Sequence, residues 1–167
     1  VNMIILIFSD VHDNLPNLRT CFNWADNNQV DVAIFLGDLT NTDTLLELAN
    51  VWPKDFYFIQ GNCDNYLPID VPSSPQWHNI GRYGQIIVDK RHIGLCHEPS
   101  FQEAVLKAGA VEVLFYGHTH KPWQEQVNNI WLVNPGTLGG VYYPASFALY
   151  DTVNNTWELK ILSQLKI

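Results

Sequence analysis

The first sixty residues alternate short apolar runs with polar or amphipathic stretches, and this order constrains the fold more than any other feature. Residues 3–8, 32–36 and 56–59 read as buried strands. Residues 15–28 read as a helix, with Asn14 as N-cap and Pro16 in the first turn; residues 42–50 read as a second helix. Strand, helix, strand, helix, strand is the pattern of a parallel sheet with covering helices.

Beyond Pro68, Pro72 and Pro75, which with their serines mark a loop, the pattern changes. Residues 85–88 and 92–96 read as adjacent strands joined by Asp89-Lys90-Arg91. A helix over 101–108 and a strand over 111–116 follow. The last third (123–127, 130–133, 146–150, 156–162) reads as short strands with Asn- and Gly-containing turns. A chain of 167 residues with no repeat and no linker reads as one domain, 1–167. The apolar run at 3–8 is too short for a signal-peptide core or a membrane span, and no basic leader precedes it, so a soluble, cytoplasmic chain without membrane contact is expected. Cys21, Cys63 and Cys96 are odd in number and show no CxxC spacing, which argues against a disulfide framework. A net charge of -8 disfavours long nucleic acids as partners, because few Lys and Arg are available to displace counterions.

The polar residues of interest each follow an apolar run. Asp10 and His12 follow the first strand, Asp38 the second and Asn62 the third; His97 follows Leu95-Cys96, and His118 and His120 follow residues 113–116. Ligands of open α/β sheets sit beyond the carboxyl ends of strands, so these segments can converge on one edge. Taken singly, Asp-x-His is usually a turn or cap, Gly37-Asp38 a turn pair, Gly61-Asn62-Cys63-Asp64 a tight turn with a cap, and His97 a hydrogen-bonded strand-end histidine. His118-x-His120 is the stronger signal, since imidazoles at i and i+2 can face the same way. Their joint occurrence, each at a strand end, points to metal. Carboxylates, an amide and imidazoles suit Mn, Zn, Fe, Co or Ni better than Ca. The set is too large for one ion that keeps an open position, and it suits two ions if one carboxylate bridges them. Two ions about 3.5–4 Å apart can share a hydroxide and clamp the oxygens of a phosphoryl group during in-line displacement.

Asp10-x-His12, Gly37-Asp38, Gly61-Asn62-Cys63-Asp64, His97, Gly117-His118-x-His120 and Asn134-Pro135-Gly136-Thr137 together resemble the calcineurin-like metallophosphoesterases, in their compact bacterial and archaeal phosphodiesterase branch. The resemblance runs from residue 4 to about 150. It implies an α/β (α+β) four-layer α-β-β-α sandwich with two facing mixed sheets and the site at their strand ends. It also implies two divalent ions, manganese first, with Ni, Co, Fe, Zn or Mg as alternatives. Asp10, His12 and His120 would hold one ion, Asn62, His97 and His118 the other, and Asp38 would bridge. The implied reaction is hydrolysis of a small phosphodiester by a metal-bridging hydroxide, with Asn62, His97 and Asp38 nearest the chemistry. Asn134 to Thr137 is read as a structural turn at the rim. The alternative is a non-catalytic scaffold of the retromer-subunit type, a branch whose ligand set is incomplete. The sequence leaves the oligomeric state open, a homodimer included.

Three positions depart from the family pattern. Cys63 stands where many members have a histidine that donates a proton to the leaving group, and a neutral thiol is a poor general acid. Glu98-Pro99 replaces the glycine and polar residue that usually follow the motif histidine; Glu98 or Asp64 could assist instead. Asp13 replaces a glycine and reads either as a partner of a metal-bound histidine or as a cap of the first helix. Cys63 and Cys96 are not read as nucleophiles, because a metal-bound hydroxide makes a thiol unnecessary. His78 and His92 read as surface or structural. Trp24, Trp52, Trp131 and Trp157 read as core, and Trp77 and Trp123 as candidate rim residues of a pocket.

Overall fold

The computed structural model describes residues 3–165. The elements in chain order are β1 (Ile4–Phe8), α1 (Leu15–Asn27), β2 (Val32–Phe35), α2 (Thr42–Val51), β3 (Asp55–Ile59), β4 (Trp77–Gly81), β5 (Tyr83–Val88), β6 (Arg91–Cys96), α3 (Gln102–Lys107), β7 (Val113–Tyr116), β8 (Trp123–Val127), β9 (Ile130–Asn134), β10 (Ser146–Asp151) and β11 (Thr156–Ile161). They form a six-stranded sheet, β11-β10-β1-β2-β3-β4, and a five-stranded sheet, β5-β6-β7-β9-β8. Both are mixed: in the first, β1 to β4 run parallel and β10 is antiparallel to both β1 and β11; in the second, β6, β7 and β9 run parallel and β5 and β8 are antiparallel to their neighbours.

Three apolar clusters stack these elements into layers. Ile5, Ile7 and Ile34 from the first sheet meet Ile93, Leu95, Val113 and Phe115 from the second, so the sheets face each other. The opposite face of the first sheet (Leu6, Phe8, Phe35, Phe56) packs on Leu18, Phe22, Leu45 and Leu48 of α1 and α2. The far face of the second sheet packs Cys96, Leu114 and Leu132 on Val105 of α3. Helices, sheet, sheet, helix is the four-layer sandwich. The central strands are buried on both faces, which is why they read as continuous apolar runs rather than as alternations.

Local signals behave as their chemistry requires. The Asn14 side chain accepts from Asn17 N at 3.1 Å and caps α1, with Pro16 in the first turn. Asn41 caps α2 through Thr44 N at 3.1 Å. Asp89-Lys90 and Asn128-Asn129 take left-handed φ values of 47° and 65°, and 50° and 65°, as two-residue hairpin loops demand.

Strand β4 is the main difference from the sequence reading. Residues 77–81, WHNIG, follow the proline-rich loop, and Asn79 and Gly81, residue types that strands avoid, interrupt the strand formers Trp77 and Ile80. They pair with β3, and the Trp77 ring lies 4.7 Å from Phe56 and 5.7 Å from Phe58, centroid to centroid. Trp77 is therefore a packing residue and not a pocket rim, and His78, stacked on Tyr57, is in a strand and not a loop. Trp52 is buried, whereas Trp24, Trp131 and Trp157 pack at the edges of the cores. Trp123 is exposed on edge strand β8; it lines a groove with Trp157 and Leu159 that includes none of the seven candidate ligands. All three cysteines are free. Among the described residues no helix is long and apolar enough to cross a membrane.

Candidate metal centre

The carboxyl ends of β1, β2, β3, β6 and β7 deliver all seven candidate residues to one place. Asp10 Oδ1 lies 3.1 Å from His120 Nε2, 3.7 Å from His12 Nε2 and 4.0 Å from His97 Nε2. His12 and His120 face each other with their Nε2 atoms 3.1 Å apart. Asp38 Oδ2 lies 3.2 Å from His97 Nε2 and 4.0 Å from His12 Nε2. Asn62 Oδ1 lies 3.1 Å from His97 Nε2 and 2.9 Å from His118 Nδ1. Asp10, His12 and His120 thus form one group and Asn62, His97 and His118 another, with Asp38 between His12 and His97.

Carbonyls orient the rings. His97 Nδ1 donates to Leu36 O at 2.7 Å and His120 Nδ1 to Val141 O at 3.2 Å, which turns each Nε2 toward the cluster. His118 presents Nδ1 instead. Five of the seven residues have left-handed backbone: Asp10 (φ 54°), His12 (46°), Asp38 (65°), His118 (68°) and His120 (59°). Each such conformation costs on the order of 1–3 kcal/mol, so surrounding bonds must impose it. They do so by tying the loops together. Val11 N and His12 N donate to Asp38 O at 2.9 and 3.1 Å, and His118 N donates to Asp10 Oδ2 at 3.0 Å.

Charge follows from this packing. Burial alone would raise the pKa of Asp10, but the adjacent imidazoles of His12, His120 and His97 outweigh it and hold Asp10 well below the usual carboxylate range. Asp38 is lowered too, its burial opposed by His97. His97 is raised, because Asp38 and Asp10 overcome its burial; His120 is raised chiefly by the adjacent Asp10 carboxylate. The cluster holds two buried anions and draws positive charge.

The donors fit divalent ions. Asp10 Oδ1 is buried and has no hydrogen-bond partner, although it points at imidazole nitrogens. A buried carboxylate oxygen without a partner is costly and calls for a cation. Ligand atoms of Asp10, His12 and His120 all lie within 4.8 Å of one another, as do those of Asp10, Asp38 and His97. Cys63 adds a finding the sequence reading left out: its sulfur lies within the same span of His12 and Asp38. Burial first, and then the charge of Asp38, raises the Cys63 thiol.

Other sequence readings change. Asp64 is not aimed at a leaving group: its carboxylate accepts from Asp38 N (3.0 Å), Gly61 N (2.8 Å) and Thr40 N (2.9 Å), bracing the β2 and β3 loops. Glu98 pairs with Arg82 at 3.1 Å. Asp13 neither caps α1 nor holds a ligand histidine; it accepts from Thr44 Oγ1 at 2.6 Å and ties α2 to the first loop. Asn134 donates to Gly117 O (2.9 Å) and Thr119 Oγ1 (3.1 Å), while Thr137 Oγ1 donates to Asp10 O (2.9 Å), so the Asn-Pro-Gly-Thr turn buttresses two ligand loops. Asp64→Ala strands three backbone N–H groups at about 1–3 kcal/mol each. A drop in stability of several kcal/mol is expected in chemical denaturation, with the leaving-group dependence of any residual activity unchanged.

Gly117 is required by space. A Cβ there would meet Ser9 Oγ at 2.1 Å and Asp10 Oδ2 at 2.9 Å. The left-handed backbone of this loop falls on His118 and His120.

Comparison with known proteins agrees with this architecture. The curated Phosphodiesterase MJ0936 of Methanocaldococcus jannaschii is 29% identical over 143 residues, covering 83% of this chain and 86% of the relative. A solved archaeal phosphodiesterase superposes with a TM-score of 0.85 at 23% identity, over 95% of this chain and 99% of that one. Vacuolar Protein Sorting 29 from Cryptosporidium parvum superposes with a TM-score of 0.68 at 20% identity, over 96% of each chain. At these identities the two structural likenesses are likenesses of fold. The calcineurin-like phosphoesterase superfamily domain matches residues 3–155. With nearly the whole chain matched, this protein belongs to the calcineurin-like phosphoesterase superfamily, a family of hydrolases.

Proposed function

We propose that the chain is a dinuclear metal-dependent phosphodiesterase acting on small phosphodiesters. The observation that carries this reading is the buried, unpartnered Asp10 Oδ1 among inward-facing imidazole nitrogens. Asp10, His12 and His120 would hold one ion and Asn62, His97 and His118 the other, with Asp38 shared; manganese leads the candidates. When bound, such ions supply an acidified water as nucleophile and positive charge against the phosphoryl oxygens.

The chain's own residues do the rest. Leu36 and Val141 carbonyls fix the tautomers of His97 and His120. The Asn62 amide, whose Nδ2 donates to Cys63 Sγ at 3.3 Å, keeps its oxygen turned to His97 and His118. Asp64, Glu98 and Cys63 offer no strong acid for the leaving group: the first two are engaged in structural bonds, and the third is a weakly acidic thiol. Rate should therefore depend steeply on leaving-group acidity. With added Mn the protein should turn over bis(4-nitrophenyl) phosphate readily, lose that activity on chelation, and hydrolyse alkyl monoesters poorly. Equal rates for activated and unactivated leaving groups would reveal an efficient acid. No chelator-sensitive turnover with Mn, Ni, Co, Mg or Zn would favour the scaffold reading. That reading is otherwise disfavoured because all seven positions carry ligand-competent side chains.

A further inference from the structure

Tyr142 stands beside the cluster with its ring centroid 5.9 Å from that of His120, and it is 91% exposed. Its φ is 65°, a conformation uncommon for an aromatic residue and maintained at a conformational cost. The preceding segment is pinned at four points. Asn17 Nδ2 donates to Leu138 O (2.8 Å), Asn14 Nδ2 to Gly139 O (2.9 Å), Gly139 N to Asp10 O (2.9 Å) and His120 Nδ1 to Val141 O (3.2 Å). A Cβ on Gly139 would meet Val11 O at 2.6 Å, so the segment sits tight against the first ligand loop. The backbone leading to Tyr142 is thus fixed to the site while the ring projects into solvent.

An aromatic ring with open faces, carried on backbone that is already held, is a stacking platform with only two side-chain torsions to settle on binding. Among the described residues, the one aromatic contact of the ring is with His120, at a 35° tilt.

We propose that Tyr142 is a specificity-determining residue, whose ring stacks on a planar aromatic or heteroaromatic group carried by an ester oxygen of the bound phosphate. The site would then favour aryl or nucleoside phosphodiesters over alkyl ones. This rests on the phosphodiesterase reading above and names its substrate class.

The test compares phenyl phosphate, adenosine 5′-monophosphate and methyl phosphate as ligands of the Mn-loaded protein by calorimetry, with KM and kcat for bis(4-nitrophenyl) phosphate alongside. Stacking of this kind is worth about tenfold in affinity. Tyr142→Ala should weaken phenyl phosphate or the nucleotide by about tenfold, leave methyl phosphate unchanged, and raise KM with kcat within about twofold. Tyr142→Phe should behave as the unmodified protein. A loss with the nucleotide alone identifies a nucleobase as the stacked group; a loss with phenyl phosphate as well identifies any aryl group. No loss with either, or an equal loss with methyl phosphate, overturns the proposal while leaving the phosphodiesterase reading intact. Failure of the unmodified protein to bind methyl phosphate or hydrolyse the diester with Mn would sink that reading and this proposal with it. The exposure of Tyr142 makes misfolding of Tyr142→Ala unexpected, and an unchanged melting temperature checks it.

Discussion

Asp38→Asn should abolish hydrolysis of bis(4-nitrophenyl) phosphate, by on the order of a thousandfold or more, and remove at least one metal equivalent from the folded chain. Asp38 is buried. Its Oδ2 faces His97 and, at the limit of contact, His12, while Oδ1 accepts from Cys63 N at 2.8 Å. In the proposed assignment it is the one group that both ions share. The amide keeps the shape and can keep the Cys63 bond, so the fold should survive. What disappears is a negative charge, and a neutral amide bridges two cations poorly. Elemental analysis of the Mn-reconstituted variant checks this, and wild-type occupancy of both metals would refute the bridge.

Gly61→Ala should damage the same carboxylate from behind. A Cβ at Gly61 would stand 2.0 Å from Asp38 Oδ1 and 2.6 Å from Asp38 N. The backbone nitrogen cannot swing aside as a long side chain could, and Asp64 holds both loops from the other direction. Overpacking of this kind costs about 1–3 kcal/mol. Any relief must move Asp38, so metal retention and turnover should fall even where the variant remains folded. Chemical denaturation together with metal analysis separates the two effects. Unchanged stability with unchanged turnover would show that the loops yield more easily than their bonding implies.

Most of the architecture was legible because the central strands are short, apolar on both faces and separated by capped helices. Asn14, Asn41 and the Asp89-Lys90 turn mark boundaries by local chemistry that needs no tertiary partner. The facing of the two sheets was not written in periodicity, since a strand such as β7, buried on both sides, looks the same in a single sheet or in a sandwich. Strand β4 was invisible because its reason to exist is the meeting of Trp77 with Phe56 and Phe58, about twenty residues back in the chain. At the site, the seven candidate ligands could be picked out by their place at strand ends. Their supports could not. Asp64 acts through backbone N–H groups and Asn134 partly through the Gly117 carbonyl, partners that carry no side-chain signature, and Asp13 reaches Thr44 across 31 residues of sequence. Gly117 is a gap kept open for Ser9 and Asp10, which only the folded neighbours reveal.

Two ions held by these seven residues are the centre of the proposed chemistry. Anomalous diffraction at the manganese edge from crystals of the Mn-loaded protein tests it most directly. Two peaks are expected, one beside Asp10, His12 and His120, the other beside Asn62, His97 and His118, with Asp38 touching both. A single peak, or peaks away from these side chains, would contradict it.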